Sequence, residues 1–163
     1  MRRKDRERDA AFAQHVLDTC VYATLAMTDD KGQPYCVPVN VVRQADALYF
    51  HAALEGRKTD CLRAHPKVCV AAVGRTRVPP GKFTMQYESA IATGDAQEVT
   101  DEAEKIQALR LLCQKFTPAD MEAFDAAVAR SLARTAIWRI HIQTLTGKSK
   151  PYEGWEQAEE ETT

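Results

Sequence analysis

A histidine, a glycine and two adjacent cations fall within eight residues: His51-Ala-Ala-Leu-Glu-Gly56-Arg57-Lys58. Upstream, Ala47 to Ala52 has the composition of a strand, which would deliver His51 to its end. Gly56 lets the backbone turn sharply or come close to a ligand. From Lys58 to Ala64 the pattern predicts a short helix, stopped before His65-Pro66 because a residue preceding proline is pushed out of helical geometry. A helix start presents unpaired N–H groups and partial positive charge, which suits a phosphate. Arg57 can chelate two phosphate oxygens and Lys58 adds a point charge. A solvated basic turn at the head of a helix explains the same residues, and His51 alone also suits a hydrogen-bonded strand end. The segment is neither G-x-x-x-x-G-K-[ST] nor G-x-G-x-x-G.

Other chemistry is sparse. The chain has 163 residues and a formal net charge of -1, so double-stranded nucleic acid is not an expected partner. No apolar run reaches the roughly 20 residues that cross a bilayer, so no membrane is expected either. The opening MRRKDRER leads into no apolar stretch, so no export leader is expected. Five cysteines with no C-x-x-C pair fit free thiols in a reducing cytoplasm. Cys61, His65 and Cys69 match no familiar zinc spacing, and no metal is expected. His15 and His65 have no evident acid or base partner, and no Ser-His-Asp or Cys-His grouping stands out, so no catalytic residue is assigned.

The elements that must position these residues follow from periodicity. Residues 9–20 read as an amphipathic helix with Phe12, Val16, Leu17 and Cys20 on one stripe, after a solvated basic arm. Residues 21–28 and 35–42 read as a hairpin across a turn at 29–34, followed by the strand 47–52. Pro38 cannot donate to a ladder, so it belongs at an edge, a bulge or a ligand contact. Residues 68–73 read as a strand, 74–82 as a basic loop or a lid for an anionic substrate, and 83–99 as one or two strands with irregularities at Glu88 and Gly94. A helix over 101–115 carries Ile106, Leu109, Leu112 and Cys113, and a second runs from the cap Thr117-Pro118 toward Ala133. Residues 135–143 alternate, with Trp138 and His141 on opposite faces, and Thr144 to Lys148 leaves the sheet. Trp138 fits a core or interface position as well as a cofactor contact. The expected fold is mainly β (α+β): a small antiparallel split β-barrel with flanking helices over residues 1–150, and an acidic, disordered tail over 151–163.

The chain resembles the FMN-binding split-barrel superfamily typified by pyridoxamine 5'-phosphate oxidase, and within it the nitroimidazole-resistance (Nim-like) flavoproteins. The resemblance rests on Met1-Arg-Arg-Lys-Asp-Arg-Glu7, Tyr22-Ala-Thr-Leu-Ala26, Pro34-Tyr-Cys-Val-Pro-Val39 and Tyr49 to Lys58. It continues in Tyr87-Glu-Ser-Ala-Ile91, Gly94, Glu104-Lys105, Trp138-Arg-Ile-His-Ile142 and Thr146-Gly-Lys148. It implies a cytoplasmic homodimer with FMN at the subunit interface, reduced by NAD(P)H and passing electrons to a small acceptor such as a nitroaromatic or quinone. The implied flavin ring lies against Val37, Pro38 and Val39, and the implied phosphate contacts are His51, Gly56, Arg57 and Lys58. Thr24 and Ser89 would add hydroxyls, and Trp138 would reach the flavin edge from the second subunit. Asn40-Val41 stands where relatives commonly carry an aromatic. A flavin or haem carrier on the same barrel, with His51 or His141 as axial ligand, is the alternative. Oxidation of a phosphorylated pyridoxamine is a third reading, disfavoured because no second basic cluster is visible near the C-terminus.

Overall fold

Asp9 opens the first helix by accepting the Phe12 N–H at 2.8 Å, and Asp101 opens the third by accepting that of Glu104 at 2.8 Å. The protein is described by a computed structural model covering residues 2–151. The tail expected over 151–163 lies outside the described residues apart from Pro151. The strands are β1 (Glu7–Arg8), β2 (Ala23–Thr28), β3 (Pro34–Val39), β4 (Val42–Gln44), β5 (Ala47–Ala53), β6 (Lys67–Arg77), β7 (Gln86–Glu98) and β8 (Thr135–Lys150). The α-helices among the described residues are α1 (Ala10–Thr19), α2 (Arg57–Ala64), α3 (Glu102–Phe116) and α4 (Phe124–Ser131). No described helix is long and apolar enough to cross a membrane.

All strands pair antiparallel in the order β3-β2-β6-β7-β8-β5-β4, with β1 against the far part of β8. The two ends of this order, β3 and β4, are joined in the chain by Asn40 and Val41 alone. That link spans at most about 11 Å. A flat sheet would hold its end strands about 29 Å apart. The sheet must therefore curl until its ends meet, which makes it a split barrel.

Inside the curl lies the main core. It draws Leu25 from β2, Leu48 and Phe50 from β5, Val70 from β6, Ala90 and Ala92 from β7, and Trp138 and Ile140 from β8. Val16 and Leu17 of α1 and Leu62 of α2 join it, so both helices pack on the inner side. A second cluster lies outside β5 and β8, where α3 covers Tyr49 and Ile137 with Ala108 and Leu112.

Several boundaries depart from the sequence expectations. The predicted strand 35–42 is interrupted at Asn40 and Val41: its first part pairs with β2, its last residue opens β4 on β5. Val41 is fully buried, so apolar alternation runs through the seam and hides it. The loop 74–82 is shorter than predicted because β6 continues to Arg77, held by the buried Glu88, whose carboxylate binds Arg75 at 2.7 Å. Thr144 to Lys148 does not leave the sheet; β8 stays paired with β7 through Lys150. A register shift between Thr93 and Gly94 makes this possible, and a Cβ on Gly94 would stand 1.9 Å from the His141 carbonyl oxygen. The helix predicted after Thr117 begins as 3-10 turns at Pro118–Ala123 and becomes α-helical only at Phe124. The basic arm also differs, because Arg8 lies in β1 and its Nε donates to Ser149 at 2.7 Å.

Candidate functional site

The head of α2 sits where β5 ends. Gly56 has φ +131°, a region that side chains with a Cβ rarely adopt, and this lets the chain turn from β5 into the helix across Leu54, Glu55 and Gly56. Its carbonyl accepts the Thr59 hydroxyl at 2.7 Å and the Asp60 N–H at 3.0 Å. Among the described residues no side chain caps this end, so its first N–H groups remain available to an anion. Thr59, a hydroxyl at this helix start, escaped the sequence reading because its neighbours carry the stronger charge signal.

Lys58 is half-buried at the barrel rim, its Nζ 5.5 Å from the Phe50 ring centroid. Desolvation lowers its pKa, and it has no carboxylate partner among the described residues. His51 presents its ring to solvent, yet burial and then the Lys58 charge hold its pKa below the usual histidine value. Arg57 is engaged differently. Its Nη2 lies 3.4 Å from Asp29 and its guanidinium stacks 4.3 Å from the Tyr35 ring centroid. Asp29, Asp30 and Asp60 line a pocket of about 360 Å³ beside it. Lys58, His51 and the helix start therefore fit a phosphate as they stand, whereas Arg57 must leave Asp29 to join them. Among the described residues no group of His, Cys, Asp and Glu is arranged to hold a metal ion.

Other expected contacts divide between the two sides of the sheet. Thr24 pairs with Pro38 on one side and Ala71 on the other, and the row continues through Ile91 to Thr146. This row faces away from the core. Pro38 lies on β3, an end strand, as its missing N–H requires. Val39 is buried in the main core and offers a ligand only its backbone, while Val37, partly buried, packs against that core. Ser89 shares the outer side one row along β7, its hydroxyl 3.4 Å from the Lys148 carbonyl oxygen. Trp138 takes the core position, one of the readings expected for it. It is 2% exposed inside the main core, in register with Phe50. Its indole N–H has no hydrogen-bond partner among the described residues.

His51 also borders an apolar pocket of about 350 Å³, shared with Asn40 at the seam and with Leu109, Leu112, Cys113 and Phe116 of α3. His141 is elsewhere, 3.4 Å from Asp46 in an open polar pocket. The two histidines lie opposite Ile137 and Ala47 in the β5–β8 ladder, about 13 Å apart along the strands, and do not converge.

A family model for pyridoxamine 5'-phosphate oxidase matches residues 9–149, nearly the whole barrel. The chain belongs to that family. This pyridoxamine 5'-phosphate oxidase family member is similar in structure to a candidate 5-nitroimidazole antibiotic resistance protein from Bacteroides thetaiotaomicron. That match has TM-score 0.75 and 26% identity, covering 87% of this chain and 84% of the other. Flavocytochrome Anf3 from Azotobacter vinelandii matches with TM-score 0.77 and 23% identity over 93% of this chain and 72% of its own. An FAD and haem binding protein from Mycobacterium smegmatis matches with TM-score 0.77 and 22% identity over 97% and 80%. These last two bear on the fold. No curated protein sequence matches the chain.

Proposed function

We propose that this family member is an FMN-binding flavoprotein that draws electrons from NAD(P)H and passes them to a small acceptor such as a nitroaromatic or quinone. The observation that carries this reading is Lys58: a half-buried ammonium, without a carboxylate partner among the described residues, beside an uncapped helix start. A cation desolvated in that way is stabilised by a bound anion. The phosphate end of FMN supplies one. His51 adds a second donor once protonated, and the Arg57 guanidinium adds two more after exchanging Asp29 for phosphate.

Bound flavin supplies reversible two-electron chemistry, which is the cofactor's own. The chain's part is to hold it. The Pro38–Thr24–Ala71–Ile91 row offers a surface of small and apolar side chains with one hydroxyl, suited to a flat ring. On the same side Val73 is 55% and Ile91 38% exposed, which supports burial against a second copy of the chain. A homodimer closed over this face would exclude water from the ring.

The test is direct. Purified protein mixed with FMN and passed through a desalting column should retain the flavin spectrum, and NADH or NADPH should bleach it until an acceptor is added. A colourless protein eliminates the reading. Retained flavin that neither nicotinamide reduces would assign the chain to a carrier instead.

A further inference from the structure

The outer side of the sheet carries a second set of cations away from α2. Tyr87 and Ser89 project outward from β7 between the buried Gln86, Glu88 and Ala90. Lys150 and Lys148 lie opposite them on β8. Glu7 of β1 pairs with Lys148, and this brings the preceding Arg6 over the same corner. The Lys148 Nζ stands 5.7 Å from the Tyr87 ring centroid and has no ion pair among the described residues. Among the described residues the ion pair of Arg6 is with Asp5, at 4.0 Å, and Asp5 is already held by Arg3 at 2.5 Å. Lys150 is occupied by Thr84. Glu7 pairs with Lys148 in the ladder, while Glu88, between Tyr87 and Ser89, is buried on the other side and held by Arg75. Burial opposes ionisation of the Tyr87 phenol, yet the nearby Arg6 and Lys148 cations outweigh it and bring its pKa below the usual tyrosine value.

Both Arg6 and Lys148 are half-buried, and a phenol is a weak counterpart for two such cations. The corner lies one row from Ile91 and Thr146, about 7 Å along the strands. We propose that Arg6, Tyr87 and Lys148, with the Ser89 hydroxyl beside them, form a second anion site that receives the carboxylate or phosphate of a small acceptor. This rests on the flavin reading for the identity of its ligand, and on the cluster alone for anion binding.

The test has two arms. In the first, inorganic phosphate is titrated into the FMN-saturated protein and, separately, into protein without FMN, followed by amide NMR shifts. Saturable shifts at Tyr87, Ser89 and Lys148 are expected, weakened roughly tenfold or more in Lys148→Met. Shifts that do not saturate, or that Lys148→Met leaves unchanged, overturn the site whether or not flavin binds. In the second, Lys148→Met should raise KM for 4-nitrobenzoate roughly tenfold while leaving 4-nitrobenzyl alcohol and flavin affinity unaltered. Equal effects on the charged and neutral acceptors overturn the assignment to acceptor binding. Loss of flavin without loss of phosphate shifts at Tyr87 would instead fault the flavin reading.

Discussion

At the scale of residues, the electrostatics of Lys58 separate FMN from riboflavin. Lys58→Met keeps the apolar stem over Phe50 and removes the charge. It should weaken FMN binding by about 1.5–3 kcal/mol, the range for a hydrogen bond to a charged group, and leave riboflavin nearly unaffected. Calorimetric titration of both ligands checks this, and equal losses would contradict a phosphate role. His51 gives a pH signature. Its pKa is lowered in the folded protein, by desolvation first and Lys58 second, so the unfolded chain binds the proton more readily. The ligand-free protein therefore loses stability as pH falls below about 6.5, the ordinary histidine value, and regains none on further acidification from this group. Phosphate beside the ring should raise that pKa, and Lys58→Met should raise it without ligand; an NMR titration of the His51 ring protons reads both. The cluster at 51–58 was legible in the chain because its members are close in sequence and charged. Trp138 was legible only as one of two readings, because strict alternation says that two faces exist without saying which one meets a core.

Element boundaries were legible where local chemistry marks them and obscure where distant strands decide. Asp9 and Asp101 announce their helices, and Arg57–Ala64 ends where His65-Pro66 requires. The polar stretch Thr144 to Lys148 gives no local reason to remain extended; β7 on one side and β1 on the other hold it. Gly94 is the hinge of that arrangement. Any side chain there meets the His141 carbonyl oxygen, a backbone atom that cannot turn aside. Gly94→Ala should cost about 3 kcal/mol or more, the upper end for overpacking, seen as a lowered midpoint in urea unfolding. A change much smaller than that would mean that the two strands separate easily at the register shift.

For the whole molecule, the closed barrel was readable from short strand connections, but its seam was not, since Asn40 and Val41 look like continuous strand. The bare outer face yields the assembly prediction. Ile91→Glu puts a charge on that face without touching the core, so the monomer should keep its fold. Light scattering should show the native protein at twice the chain mass and the variant at one chain mass, with flavin retention reduced alongside. A native protein already at one chain mass would remove the shared-interface argument. The position of β8 has a consequence for biosynthesis. It lies between β7 and β5, so β4 and β5 leave the ribosome long before the strand that completes their ladder. Until Thr135–Lys150 emerges, the growing polypeptide carries an open edge rich in Leu48, Tyr49 and Phe50, and nascent-chain chaperones are the natural custodians of that interval.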